Sequence, residues 1–402
     1  MKFIHHLIPA YPATPEERER LRPIAHRTDK TQQLLAEMLE LTKFCEDLGF
    51  DIVTFSEHHF YTEGGEAGAT PTPHLIRLLH ETKRIKIGPL GFVLPTWDPI
   101  RLAVDIAWAD QMSKGRAICG LARGVFPRWV NVLGQHYGVQ PGMIGIEADE
   151  HNREVFEELY EIVKLAWSDK PFSFKGKYYQ VPFPAEGHFW GPYEATRKYG
   201  APGEVEGDRL LKLSPVPKPY QKPHPPVFQA FTASEQTIRW TARQGIIPMV
   251  FRPFPEQAVQ AFDAYAEEAG KAGRSLERGQ NIGLCNFIYI GKNRDDALRL
   301  MRNGSWFLFE NFHSKVDPNI PPKVEALLDA KMTVAGTVDD VRRRVEEIRE
   351  TLNPEYFLWL SDQGYLPIDD VKRQLELFAT RVMPDFRDTE AKQVTAAPEA
   401  TA

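Results

Sequence analysis

The ten residues Ile85–Leu94, IKIGPLGFVL, are almost continuously apolar. A strand that is apolar on both faces must be covered on both, as happens when helices pack on either side of a parallel sheet. Comparable runs stand at Phe3–Ala10, Asp51–Phe55, Arg116–Leu121, Pro226–Phe231, Ile246–Val250, Ile282–Ile290 and Tyr356–Leu360. Segments with helical patterning follow each of them. Leu34, Leu35, Met38, Leu41, Cys45 and Leu48 recur at three- and four-residue spacing, and Gly49 can stop that helix at C′. Asp98 before Pro99 starts a helix reaching about Met112, and Thr337 with Asp340 makes a capping-box-like start to one reaching Leu352. Further helices are predicted over Pro73–Thr82, Glu147–Trp167, Ser234–Gln244, Glu256–Ala269, Asp295–Phe309 and Asp369–Met383. The alternation predicts an α/β fold, a (β/α)8 TIM barrel with insertions, and a doubly wound open sheet is the structural alternative.

A chain of 402 residues can bury a sizeable core, and one domain is expected over residues 1–387. Two stretches break the rhythm, residues 171–225 and 311–334, and loops of that length read as lids or disordered segments. Tyr11–Lys30 has no clean periodicity and reads as an inserted loop; residues 388–402 are small and polar and read as a disordered tail. A net charge of -6 and a pI near 6.1 argue against a surface built to neutralise nucleic-acid phosphates. The opening MKFIHHLIPAYP is too short and too interrupted for a signal peptide or membrane span. Cys45, Cys119 and Cys285 lie far apart with none in a metal-type pair, so the expectation is reduced thiols in the cytoplasm.

Chemistry concentrates where Asp51–Phe55 runs into Glu57, His58 and His59 in the stretch TFSEHHF, because barrels carry their reactive groups at the carboxyl ends of strands. Adjacent side chains of an extended strand point to opposite faces, so His58 and His59 do not readily chelate one ion, and metal-dependent hydrolysis is not the expectation. At the end of the fourth run, CGLARG carries Arg123 between small neighbours, which suits an anion, although a solvated surface arginine would look the same. FTASEQTIRW places Thr232, Ser234 and Thr237 at a helix start, either a plain N-cap or an anion site. The two together point to a phosphate-bearing ligand.

The runs GFDIVTFSEHHF, IKIGPLGFVLPTWDPIRLAVDIAWADQMSKGR and GLARGVFPRWVNVLG resemble the bacterial luciferase-like flavin monooxygenases. The likeness continues through TIRWTARQGIIPMV, AGTVDDVRRRVEEI and LELFATRVMPDF. It implies a TIM barrel that uses reduced FMN from a separate NAD(P)H:flavin reductase to activate dioxygen as a flavin peroxide. An imidazole, which titrates in the neutral range, can set the protonation of such a species. By this resemblance Glu57, His58 and His59 fall on the active-site cluster, with His58 as the catalytic histidine and His59 mainly structural. Arg123, Ser234 and Thr237 fall on the flavin phosphate site, to which Thr232 and Ala233 are adjacent. Two departures are Ala122, where luciferase has a reactive cysteine, and Ala233, where it has a glutamate, so light emission is not implied. A small apolar or aromatic substrate and a homodimer or tetramer are expected. Residues 311–334 would serve as lid, and His188, Phe189, Trp190 and Tyr193 would shape the mouth. The rivals are a deazaflavin-dependent oxidoreductase on the same barrel and a noncatalytic partner subunit.

Overall fold

The apolar runs become short strands, buried along nearly their whole length and paired side by side in parallel. The structure is a computed structural model that describes residues 1–124, 128–142, 145–189, 191, 194–251, 255–308, 325–329, 331, 333–360 and 365–387. Two compact units divide the chain: Met1–Gly91 with Pro226–Ala402, and Phe92–Pro225. In chain order the first unit begins with β1 (Lys2–Leu7), β2 (Ile52–Phe55) and β3 (Lys86–Pro89). The second carries β4 (Phe92–Val93), β5 (Cys119–Ala122), β6 (Phe174–Lys175), β7 (Gln180–Val181), β8 (His188–Phe189), β9 (Val205–Glu206) and β10 (Arg209–Leu210). The chain then returns to the first unit with β11 (Val227–Thr232), β12 (Ile247–Val250), β13 (Gly283–Ile290), β14 (Thr333–Gly336) and β15 (Tyr356–Leu360).

Within the first unit the strand order is β3-β2-β1-β15-β13-β12-β11, all parallel, with β14 also beside β13. Register assigns the faces. His5 stands opposite Val53 and Trp359, whereas His6 stands opposite Thr54 and Leu360. On the His5 face, Phe3, Phe357 and Trp359 all pack on Phe378 of the helix Ile368–Arg381. On the His6 face a run of rings follows, His6 to Phe231 at 5.3 Å, then Phe251 and Phe287. The pattern is one helix-covered face and one face lined by small polar and aromatic side chains.

In the second unit β4 pairs with β5 in parallel, and the helix Pro99–Ser113 packs beside Ile146–Trp167. Asp98 caps the first of these as predicted, accepting from the Arg101 N–H at 2.8 Å. The stretch 171–225 contains the antiparallel pair β6-β7, the three-stranded β8-β10-β9 and a short helix, Glu194–Tyr199. It is stapled to the two long helices. Gln221 donates to Asp110 from its backbone and side chain, Tyr179 donates to Asp98, and Glu158 accepts the N–H groups of Lys177, Tyr178 and Tyr179.

Three expectations need correction. Tyr11–Lys30 is not a plain loop: it holds the helix Pro15–Arg20, with a capping box between Thr14 and Glu17, then a 3-10 turn Ile24–His26, and the next helix begins at Thr28. The short helix buries no residue, so it leaves no apolar period to read. The Ile85–Leu94 run is two strands, β3 and β4, interrupted at Leu90 and Gly91. β14, TVAG, adds a parallel strand at the end of the stretch read as a lid; half of it is Ala and Gly, which are depleted in strands and give no apolar run. Trp190, Tyr193, Phe309, the stretch 311–324 and the tail 388–402 lie outside the described residues. All three cysteines are buried and free, with their thiol pKa values pushed up by burial. No helix among the described residues is long and apolar enough to cross a membrane.

His5 and His6 are both buried, and burial pushes the pKa of each down to about 3, with His6 lowered further by its neighbours His5 and His58. Both are neutral when folded and titrate normally when unfolded, so the unfolded chain gains protons first as pH falls. Their contribution is complete above pH 6.5 and is lost as pH drops toward 3. Each should cost about 2 kcal/mol between pH 7 and pH 5. Denaturant titrations across that range should show this slope, and His5→Phe should make it shallower.

Candidate active site

All four residues of β2 are buried, and burial continues through Ser56 and Glu57 beyond its end. A carboxylate withdrawn from water must be paired. Glu57 accepts from His59, Oε1 to Nε2 2.9 Å. His58 turns instead to a different carboxylate, with Nδ1 2.8 Å from Glu66 Oε2. The two imidazoles therefore diverge, each with its own acid. The physical ground is not strand alternation, because β2 ends at Phe55 and the histidines sit in the loop after it.

Glu66 was not legible as a site residue. It is one acid in the run GGEAG, and only the return of the loop brings it to His58. Gly68 permits that return. The His58 N–H donates to the Gly68 carbonyl at 3.3 Å, and a Cβ on Gly68 would stand 2.1 Å from the Ser56 carbonyl oxygen. The insertion before the first long helix then grips the loop from outside. The Tyr11 N–H donates to Gly64 O, the Ala25 N–H to Thr62 O and the Arg18 guanidinium to Glu63 O, at 2.8, 3.1 and 2.7 Å. Arg18 also lies over the Tyr365 ring, 4.5 Å from its centre. Beside His58 the Tyr61 ring stands edge-on at 5.8 Å. On the inner face, His6 Nδ1 and the Thr54 hydroxyl share a 2.8 Å hydrogen bond.

The predicted helix cap forms as read. Ser234 Oγ accepts from the Thr237 N–H at 3.3 Å and lies 2.7 Å from the Thr237 hydroxyl, at the N-terminus of the ten-residue helix Glu235–Gln244. Glu235, the acid in the first turn, pairs with Arg239 further along the helix. Thr232 is buried and donates to its own strand at Gln229 O, 3.3 Å, where β11 bulges; Ala233 is exposed. In the second unit Asp149 bridges Arg123 at 3.0 Å and Arg153 at 2.9 Å. Burial lowers the Arg123 pKa from its ordinary value, against the opposing pull of Asp149. Glu157 acts on the Arg123 charge as well, so two carboxylates and the second guanidinium of Arg153 surround it. Hydroxyls at a helix N-terminus are donors of the kind a phosphate takes.

Comparison with known proteins names the family of this α/β chain. Residues 21–353 match the family model for luciferase-like monooxygenase, and the chain belongs to that family. It is similar to the oxygenase component of flavin-dependent trigonelline monooxygenase from Acinetobacter baylyi, 24% identical over 379 residues, 89% of this chain and 91% of that one. Among solved structures, one is the oxygenating constituent of 3,6-diketocamphane monooxygenase from Pseudomonas putida, in complex with FMN. Its TM-score is 0.70 at 20% identity, over 97% of this chain and 99% of that one. Another, an F420-dependent secondary alcohol dehydrogenase, reaches a TM-score of 0.63 at 17% identity, over 96% of this chain and 100% of that one. The shared fold is the (β/α)8 barrel with insertions that the alternation predicts.

Gly68→Ala should drive a methyl group into backbone that cannot yield, displacing the loop that carries Glu66. A loss of about 1–3 kcal/mol is expected from such overpacking. Chemical denaturation checks it, with Ala67→Gly as a control next door.

Proposed function

We propose that the chain is the oxygenase of a two-component system, which takes reduced FMN from a separate NAD(P)H:flavin reductase and oxygenates a small apolar or aromatic molecule. The observation that carries this reading is the pair of carboxylate-bound histidines after β2, in a chain of the luciferase-like monooxygenase family. The relative named as an oxygenase component supports the two-component arrangement. Reduced FMN, when bound, supplies the electrons that activate dioxygen. The protein's part is to place protons and to keep water away. His58 is assigned as the group that holds or gives a proton to the reactant. Glu57 fixes His59, which backs the loop. Phe231, Phe251 and Phe287 on the His6 face supply an apolar wall, which favours an apolar or aromatic substrate. Ser234 and Thr237, flanked by Thr232 and Ala233, are assigned to the FMN phosphate, and Arg123 to a phosphate oxygen. We read the chain as a single barrel domain over residues 1–387 that works in the cytoplasm as a homo-oligomer.

A deazaflavin coenzyme is the second reading, favoured by the likeness to the F420-dependent dehydrogenase. Equilibrium binding of reduced FMN against the reduced deazaflavin separates the two. The main reading is tested by supplying a flavin reductase, NAD(P)H and FMN and following oxygen uptake against hydrogen peroxide release over a substrate panel. Oxygen uptake that ends wholly as peroxide with every substrate would sink it.

His58→Ala should lower coupled turnover by roughly 10²- to 10⁴-fold. Arg123→Ala should weaken FMN binding by about 10- to 100-fold, the worth of one charged hydrogen bond. Riboflavin, which lacks the phosphate, should bind the variant and the parent equally in a fluorescence titration.

A further inference from the structure

We infer that Glu66 is a positioning residue for His58, gripping the imidazole at Nδ1 so that proton exchange with a reactant falls to Nε2. The inference rests on the assignment of His58 given above, and it adds a residue that the family resemblance does not supply.

Three observations carry it. Glu66 Oε2 is 2.8 Å from His58 Nδ1, and the two side chains are only 7% and 14% exposed. A carboxylate so far out of water is costly unless it meets a positive or hydrogen-bonding partner, so Glu66 constrains the ring it faces. His59 has its own acid, Glu57, which leaves Glu66 to His58. Finally, the backbone around Glu66 is held from both sides. Thr62, Glu63 and Gly64 are gripped by the N-terminal insertion, and Gly68 closes against Ser56. The carboxylate therefore reaches His58 from a fixed platform.

The other groups around His58 do not offer the same control. Tyr61 presents a ring edge at 5.8 Å. His6 is buried, neutral and hydrogen-bonded to Thr54. Glu57 and His59 share a 2.9 Å hydrogen bond. An imidazole with a carboxylate 2.8 Å from Nδ1 is held at that nitrogen and presents Nε2 for exchange. Glu66 would thus set which nitrogen of the ring faces the reactant.

Glu66→Gln and Glu66→Asp, alone and combined with His58→Ala, test the inference. Releasing the ring from its anchor should make His58 react faster with diethyl pyrocarbonate, a several-fold gain read in the flavin-free protein by peptide mass spectrometry. In turnover, Glu66→Gln should lower kcat with little change in substrate KM and raise the share of oxygen lost as hydrogen peroxide. Glu66→Asp should recover part of both effects, and in the His58→Ala background Glu66→Gln should change little further. An unchanged modification rate, or equal losses with and without His58, would overturn the inference. If the modification rate responds while no substrate is ever oxygenated, the pair stands and the proposed reaction is what fails.

Discussion

Withdrawing a carboxylate from water is tolerable only when a partner is fixed beside it, and two such acids, Glu57 and Glu66, stand in the loop after β2. Each one selects a histidine. That requirement explains several features that otherwise look unrelated. Gly68 has to be a glycine because the loop must close against Ser56 to bring Glu66 home. The insertion before the first long helix must grip Thr62, Glu63 and Gly64, because a loose loop would let water reach the acids. The strand beneath has to be buried so that the loop has a rigid base.

The parallel sheet of the first unit provides that base by giving its faces different work. Phe3, Phe357, Trp359 and Phe378 make an aromatic layer under a covering helix. The opposite face carries His6, Thr54 and a run of phenylalanines. His5 and His6 illustrate the division. Both are buried and neutral, yet one packs against Phe50 and Trp359 in the helix layer and the other bonds Thr54 on the inner face. Neighbours in sequence thus serve different parts of the molecule.

Much of the architecture was legible because its signals are local. Asp98, Ser234 and Thr337 each precede a helix, and each caps it through a side chain one turn away. Gly245 ends its helix in the left-handed region, where a glycine meets no Cβ penalty. The helix Pro15–Arg20 escaped because it sits on the surface and buries nothing, and β14 because half of it is Ala and Gly, poor strand formers. In the candidate site, Glu57, His58 and His59 draw attention in the sequence by following a buried strand. Glu66 does not, since its partner is eight residues away across a turn that no pattern announces.

The sequence by itself determined the alternation of strands and helices, the caps, and the family, because all of these depend on spacing within one element or on runs that stay intact. Tertiary structure alone decided which acid each histidine takes, which face His5 and His6 occupy, and what the N-terminal insertion is for. Those outcomes depend on strand register and loop closure, which bring together groups whose separation along the chain says nothing about their distance in space.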